Sequence, residues 1–157
     1  MLEITILNLI QALMFCIGSA LIIYAGKQDE KTRNPYILIP ALIALGMSAG
    51  GTTFTIITLA CLIIFILPEK VNKVIGKADL LLFASALTII IVNQNWLLTL
   101  IIYVSLASTA GLILSDKEKA KEIPLIHYFA KGYAITVLLV TFTIICYITG
   151  LAIGRLF

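Results

Sequence analysis

Six apolar runs, parted by short polar or glycine-containing breaks, dominate this chain: Ile4–Gly26, Tyr36–Ala49, Thr52–Leu67, Leu80–Val92, Trp96–Leu114 and Tyr133–Leu156. A globule of 157 residues has no core large enough to hide them, because a small fold keeps a large share of its residues at the surface. Apolar residues make up 61% of the chain and charged ones 12%, against roughly a quarter charged in an ordinary soluble domain. A soluble globular enzyme, a disordered chain and a nucleic-acid-binding protein are excluded on these grounds. The expectation is an integral membrane protein.

Backbone groups in hydrocarbon must be satisfied internally, which leaves helices or the strands of a closed barrel. Barrel strands alternate apolar and polar residues. Leu80-Leu81-Leu82-Phe83 and Thr88-Ile89-Ile90-Ile91-Val92 are apolar on both faces, so the runs read as helices. The second and third runs are shorter than the roughly 20 residues that a span usually needs. Fused into one helix from Tyr36 to Leu67 they would hold 32 residues. Such a helix measures about 48 Å, well beyond a hydrocarbon layer of roughly 30 Å. Gly50-Gly51 offers a break in its middle. Asn93-Gln94-Asn95, costly at mid-membrane, parts the fourth and fifth runs in the same way.

Charge then sets the count. With six spans, the loops after the first, third and fifth helices share one side. They carry Lys27, Lys31, Arg33, Lys70, Lys73, Lys77, Lys117, Lys119, Lys121 and Lys131, leaving only Arg155 of the 11 basic residues opposite. The positive-inside rule therefore favours an all-α bundle of six transmembrane helices, with both termini on the non-cytoplasmic side and the charged loops in the cytoplasm. The first run lacks a basic start and is too long for a signal-peptide core, so it is read as a retained helix. Internal repeats and linkers are missing, so residues 1–157 read as a single domain. Pro40 is expected to kink the second helix, and Val71, Val74 and Ile75 to form a short interfacial turn. Cys16, Cys61 and Cys146 fall inside the runs without ligand spacing and read as buried small hydrophobes, so neither a disulfide nor a metal is expected.

Most of the acidic residues sit among lysines in loops, where a solvated face is the ordinary role. Two call for closer reading. Asp79 immediately precedes the 13-residue run Leu80–Val92. Its ordinary role is an N-cap. That run makes only about 20 Å of helix, so the helix must reach back through Asp79 or the bilayer must thin. Asp29 follows the first run by about one turn, and its ordinary role is an exposed loop acid paired with Lys31 or Arg33. The topology puts both acids at one membrane face, where helix ends can bring them together. Two carboxyls a few ångströms apart share one proton, one acting as base on water and the other as acid. That is aspartic-protease chemistry, which needs no cofactor.

Asp29, Lys31, Arg33, Asn34 and Pro35, then Gly76-Lys77-Ala78-Asp79, then Ile123-Pro124-Leu125 occur in the order and spacing of a known family. The chain resembles the type IV prepilin peptidases, within the GxGD class of intramembrane aspartyl proteases, over nearly its whole length. It departs from them at Ala78, where the second Gly is usual, at the reversed Asn34-Pro35 pair, and at His127, where a second Pro is common. The resemblance implies a peptidase-only form without methyl transfer, and catalytic Asp29 and Asp79. The implied partner is a prepilin-like substrate, its basic leader in the cytoplasm and followed by an apolar helix. Cleavage at the cytoplasmic face of the cell membrane follows from the same resemblance. Glu30 and Glu69 are candidates to attract the leader, although a solvated role is the ordinary one. His127 reads as an interfacial anchor, and Trp96 and Tyr103 as boundary or packing residues. The alternatives are a small proton- or cation-coupled transporter or channel built on Asp79, and a non-catalytic membrane scaffold.

Overall fold

The computed structural model describes residues 6–32, 37–66, 76–93, 95–115 and 125–154. These residues form six helices: α1 (Ile6–Thr32), α2 (Leu38–Ala49), α3 (Gly51–Ile66), α4 (Lys77–Val92), α5 (Trp96–Ser115) and α6 (Leu125–Gly154). Three segments, Ile6–Lys31, Trp96–Ser115 and Leu125–Gly150, are long and apolar enough to cross a membrane. The other three helices are shorter.

Each helix packs on the next in the chain, and α1 closes the ring against α6. α4 also touches α2 and α6. Every helix sends at least one side chain to the centre: Ile22, Leu45, Ile57, Leu82, Ile102 and Tyr133 are all buried. Outward, large apolar side chains such as Leu62, Phe83, Leu138 and Phe142 stand exposed. An apolar exterior around an apolar core suits a lipid surround, since lipid takes no toll on exposed hydrocarbon.

Buried hydroxyls settle on their own helices. Ser105, Thr109 and Thr136 each donate to the carbonyl four residues back, at 2.6 to 2.8 Å. Neutralising a hydroxyl this way is what an apolar setting demands. Ser85 Oγ is buried with no hydrogen-bond partner among the described residues.

The breaks have chemical causes. Gly50 caps α2 at φ 115°, a backbone region that disfavours side chains, and α3 begins at the next residue. The expected interruption at Gly50-Gly51 is present. Between α4 and α5, Asn95 Oδ1 accepts from the N–H groups of Leu97 and Leu98, capping α5. Asn93 Oδ1 in turn accepts from Asn95 N–H at 3.0 Å.

Several expectations are corrected. Pro40 does not sit mid-helix: it is the third residue of α2, where no intrahelical N–H bond is lost and no kink is required. α6 begins at Leu125, two turns before the apolar run, with Lys131 on its exposed side. Cys61 is buried as expected, whereas Cys16 and Cys146 are exposed on the bundle surface. The expected turn at Val71, Val74 and Ile75 lies outside the described residues, as do Arg33, Asn34, Pro35, Glu69, Ile123 and Pro124.

Candidate functional site

α1 does not stop where its apolar run stops. Lys27-Gln28-Asp29-Glu30-Lys31 contains good helix formers and no breaker, so the helix continues to Thr32. Asp29 is therefore a helical residue rather than a loop acid. It lies on the face shared by Ile22, Ala25 and Gly26, at spacings of three, four and seven residues, and only 6% of its surface is exposed. The neighbouring Lys27, Glu30 and Lys31 point outward.

That buried face meets the start of α6. Asp29 Oδ2 accepts the backbone N–H of His127 at 3.3 Å. His127 is the third residue of α6, and its N–H is one of the first-turn donors that a helix leaves unsatisfied. The carboxylate therefore stands at the positive end of the α6 dipole. Close approach is possible because Gly26 has no side chain: a Cβ there would collide with that of Ala130. His127 Nδ1 lies 3.2 Å from the Gly26 carbonyl oxygen and 3.6 Å from Glu30 Oε2. Further along the same seam, Ser19 Oγ and Tyr133 Oη hydrogen-bond at 2.8 Å. The imidazole expected at the lipid interface is instead buried between α1 and α6.

Asp79 occupies a different element. The N-cap of α4 is Gly76, not Asp79, which is the third helical residue and half-buried. The helix reaches back through Asp79 to Lys77, one of the two outcomes expected of the short apolar run. Its carboxylate curls over the cap: a Cβ on Gly76 would stand 3.0 Å from Asp79 Oδ2. Ala78 lies within α4 and packs partly buried against the core, so ordinary helical backbone serves there without glycine.

The two acids stand at the same end of the bundle. Leu82 and Phe83 of α4, Thr109 and Ile113 of α5, and Leu125 and Phe129 of α6 line one cavity of about 180 Å³. The head of α4 thus lies beside the head of α6, and Asp29 is bonded to the head of α6. Direct packing of α4 on α6 links the two elements. The same end carries Lys27, Lys31, Lys77 and Lys131. The main-chain N–H of His127, which meets Asp29, and its Nδ1, which meets the Gly26 carbonyl, are contacts that residue type does not reveal.

Among the described residues, no group of three or more His, Cys, Asp or Glu side chains could hold a metal ion. A second cavity, about 350 Å³ in volume and lined by Asn8, Gln11, Ser48 and Asn95 among apolar neighbours, lies at the opposite end. Trp96 and Tyr103 are exposed on the flank of α5. Comparisons with protein-family models, with curated proteins and with solved structures returned no match to this chain.

Proposed function

We propose that this chain is a membrane aspartic endopeptidase of the prepilin-peptidase kind, with Asp29 and Asp79 as its catalytic pair. The observation that carries the reading is the burial of Asp29 at the charged end of the bundle, bonded to α6, with Asp79 in the first turn of α4 at that same end. A carboxyl group is costly to bury near an apolar layer and is kept there for a use. The motif around each acid supplies the reaction class, and the chemistry needs only water. One carboxylate takes a proton from water as the water oxygen attacks the scissile carbonyl carbon. The other, as the acid, protonates the carbonyl oxygen; the first then gives its proton to the amine nitrogen as the C–N bond breaks, and the second takes a proton back from a diol oxygen.

In this reading all six helices cross the cytoplasmic membrane, both termini lie outside, and the acid end faces the cytoplasm. The uneven placement of basic residues supports it. The substrate is a prepilin-like protein cut where its basic leader meets its apolar helix. Glu30, more than half exposed beside Asp29, is available to a basic leader.

Cleavage of a co-expressed prepilin tests the pair. Asp29→Asn and Asp79→Asn, each folded and inserted, should lose activity by about a hundredfold or more. Substantial turnover in either variant refutes the dyad. Proton-coupled solute flux in proteoliposomes that disappears with Asp79→Asn alone would instead favour the transporter reading.

A further inference from the structure

The single histidine touches α1 through two different groups. A carbonyl oxygen only accepts, so at 3.2 Å from Gly26 O the ring Nδ1 carries the proton and donates it. The backbone N–H of the same residue donates to Asp29 Oδ2. Gly26 and Asp29 lie three residues apart, almost one helical turn, so one residue of α6 grips two successive positions on a single face of α1. The ring is packed edge-on to Tyr128, at 5.7 Å and 71°, and is buried. Glu30 Oε2, at 3.6 Å from Nδ1, is beyond hydrogen-bond range and sits on an exposed side chain.

We infer that His127 is a positioning residue for Asp29. Its Nδ1–H staples the start of α6 to the Gly26 carbonyl, and the staple holds the His127 main-chain N–H against the Asp29 carboxylate. The carboxylate is thereby fixed in one rotamer at the head of α6. The imidazole moves no proton in the reaction. This inference rests on the reading of Asp29 as catalytic.

Two amide replacements separate a staple from an acid–base group. The Asn side-chain nitrogen stands as many bonds from Cα as His Nδ1, whereas that of Gln matches Nε2. His127→Asn should therefore keep prepilin cleavage within about threefold of wild type. His127→Gln and His127→Phe should lower kcat by about tenfold or more with KM little changed, because the misplaced group is the catalyst and not the binding surface. The pH profile of His127→Asn should overlay that of wild type. Asn as damaging as Phe, or Gln and Phe as active as wild type, would overturn the inference.

Thermal unfolding of the purified proteins in mild detergent gives a readout independent of cleavage. The midpoint of Asn should match wild type, and those of Gln and Phe should fall below it. If wild type cleaves no prepilin while this order holds, the protease reading fails and the α1–α6 staple stands without its catalytic purpose. If wild type cleaves and the order is absent, the staple itself is wrong.

Discussion

Gly26 faces Ala130 across the α1–α6 seam with no space for a methyl group. Gly26→Ala should destabilise the protein by about 1–3 kcal/mol, the usual cost of overpacking a rigid contact. Adding Ala130→Gly should return part of that loss, because the colliding carbon is Ala130 Cβ itself. Unfolding of the two single variants and the double variant in detergent checks this; additive losses would reject the close contact. The seam matters to Asp29, which lies one turn further along the same face. The helical spacing of Ile22, Ala25, Gly26 and Asp29 carries that face in the sequence, but residue type makes Asp29 a loop acid. The charged neighbours Lys27, Glu30 and Lys31 hid it by making the segment look like a solvated loop. The partner groups on α6 were not legible. They are a main-chain N–H and a ring nitrogen about a hundred positions away, and residue type alone does not reveal which carbonyl a lone imidazole will meet.

Among the elements, the α2–α3 turn makes the sharpest test. Gly50 holds φ 115°, a region that strains any side chain, although its Cβ position is open. Gly51, the first residue of α3, has equal space and no such backbone demand. Gly50→Ala should cost about 1–3 kcal/mol in backbone strain, whereas Gly51→Ala should be neutral or stabilise by about 0.4–1 kcal/mol. Unfolding midpoints of the two variants decide it, and equal effects would mean that α2 and α3 are not joined as described. The interruption here was readable because a glycine pair leaves a chemical mark. The start of α6 left none. Lys131 and His127 broke the apolar run, yet a helix with one wet side accepts a lysine on that side. Lys131 Nζ lies 5.9 Å from the centre of the Tyr128 ring, one turn back on the helix. Every residue from Ile126 to Ala130 is buried, with Tyr133 one turn further on, so α6 packs from its first turn where hydropathy gives no sign of it.

At the scale of the whole molecule, crossing number and helix length pull in different directions. Among the described residues, only α1, α5 and α6 are long and apolar enough to span unaided. The 12 residues of α2 and the 16 of α4 give about 18 and 24 Å of helix, against a hydrocarbon layer of roughly 30 Å. Six crossings therefore require a locally thinned bilayer or helix ends sunk beneath its surface. The cavity shared by Asn8, Ser48 and Asn95 puts the α2–α3 and α4–α5 turns at the end of the bundle opposite Asp29, beside the start of α1. Six crossings would put both turns outside the membrane, whereas short helices that stop within the bilayer would leave them buried in it. In a protein freed of Cys16, Cys61 and Cys146, single cysteines at Lys31, Gly51, Lys77 and Trp96 would report this directly. Lys31, Gly51 and Trp96 are exposed, and a side chain at position 51 meets nothing within 4 Å, so the probes are tolerable. A membrane-impermeant maleimide applied to intact cells should label positions 51 and 96 and spare 31 and 77. Protection of all four would mean that the α2–α3 and α4–α5 turns do not reach the outer surface. Labelling of position 31 together with 77 would invert the molecule and move the carboxylates away from a cytoplasmic leader peptide. Labelling of one but not the other would put Asp29 and Asp79 on opposite faces, and no shared-proton chemistry would then be open to them.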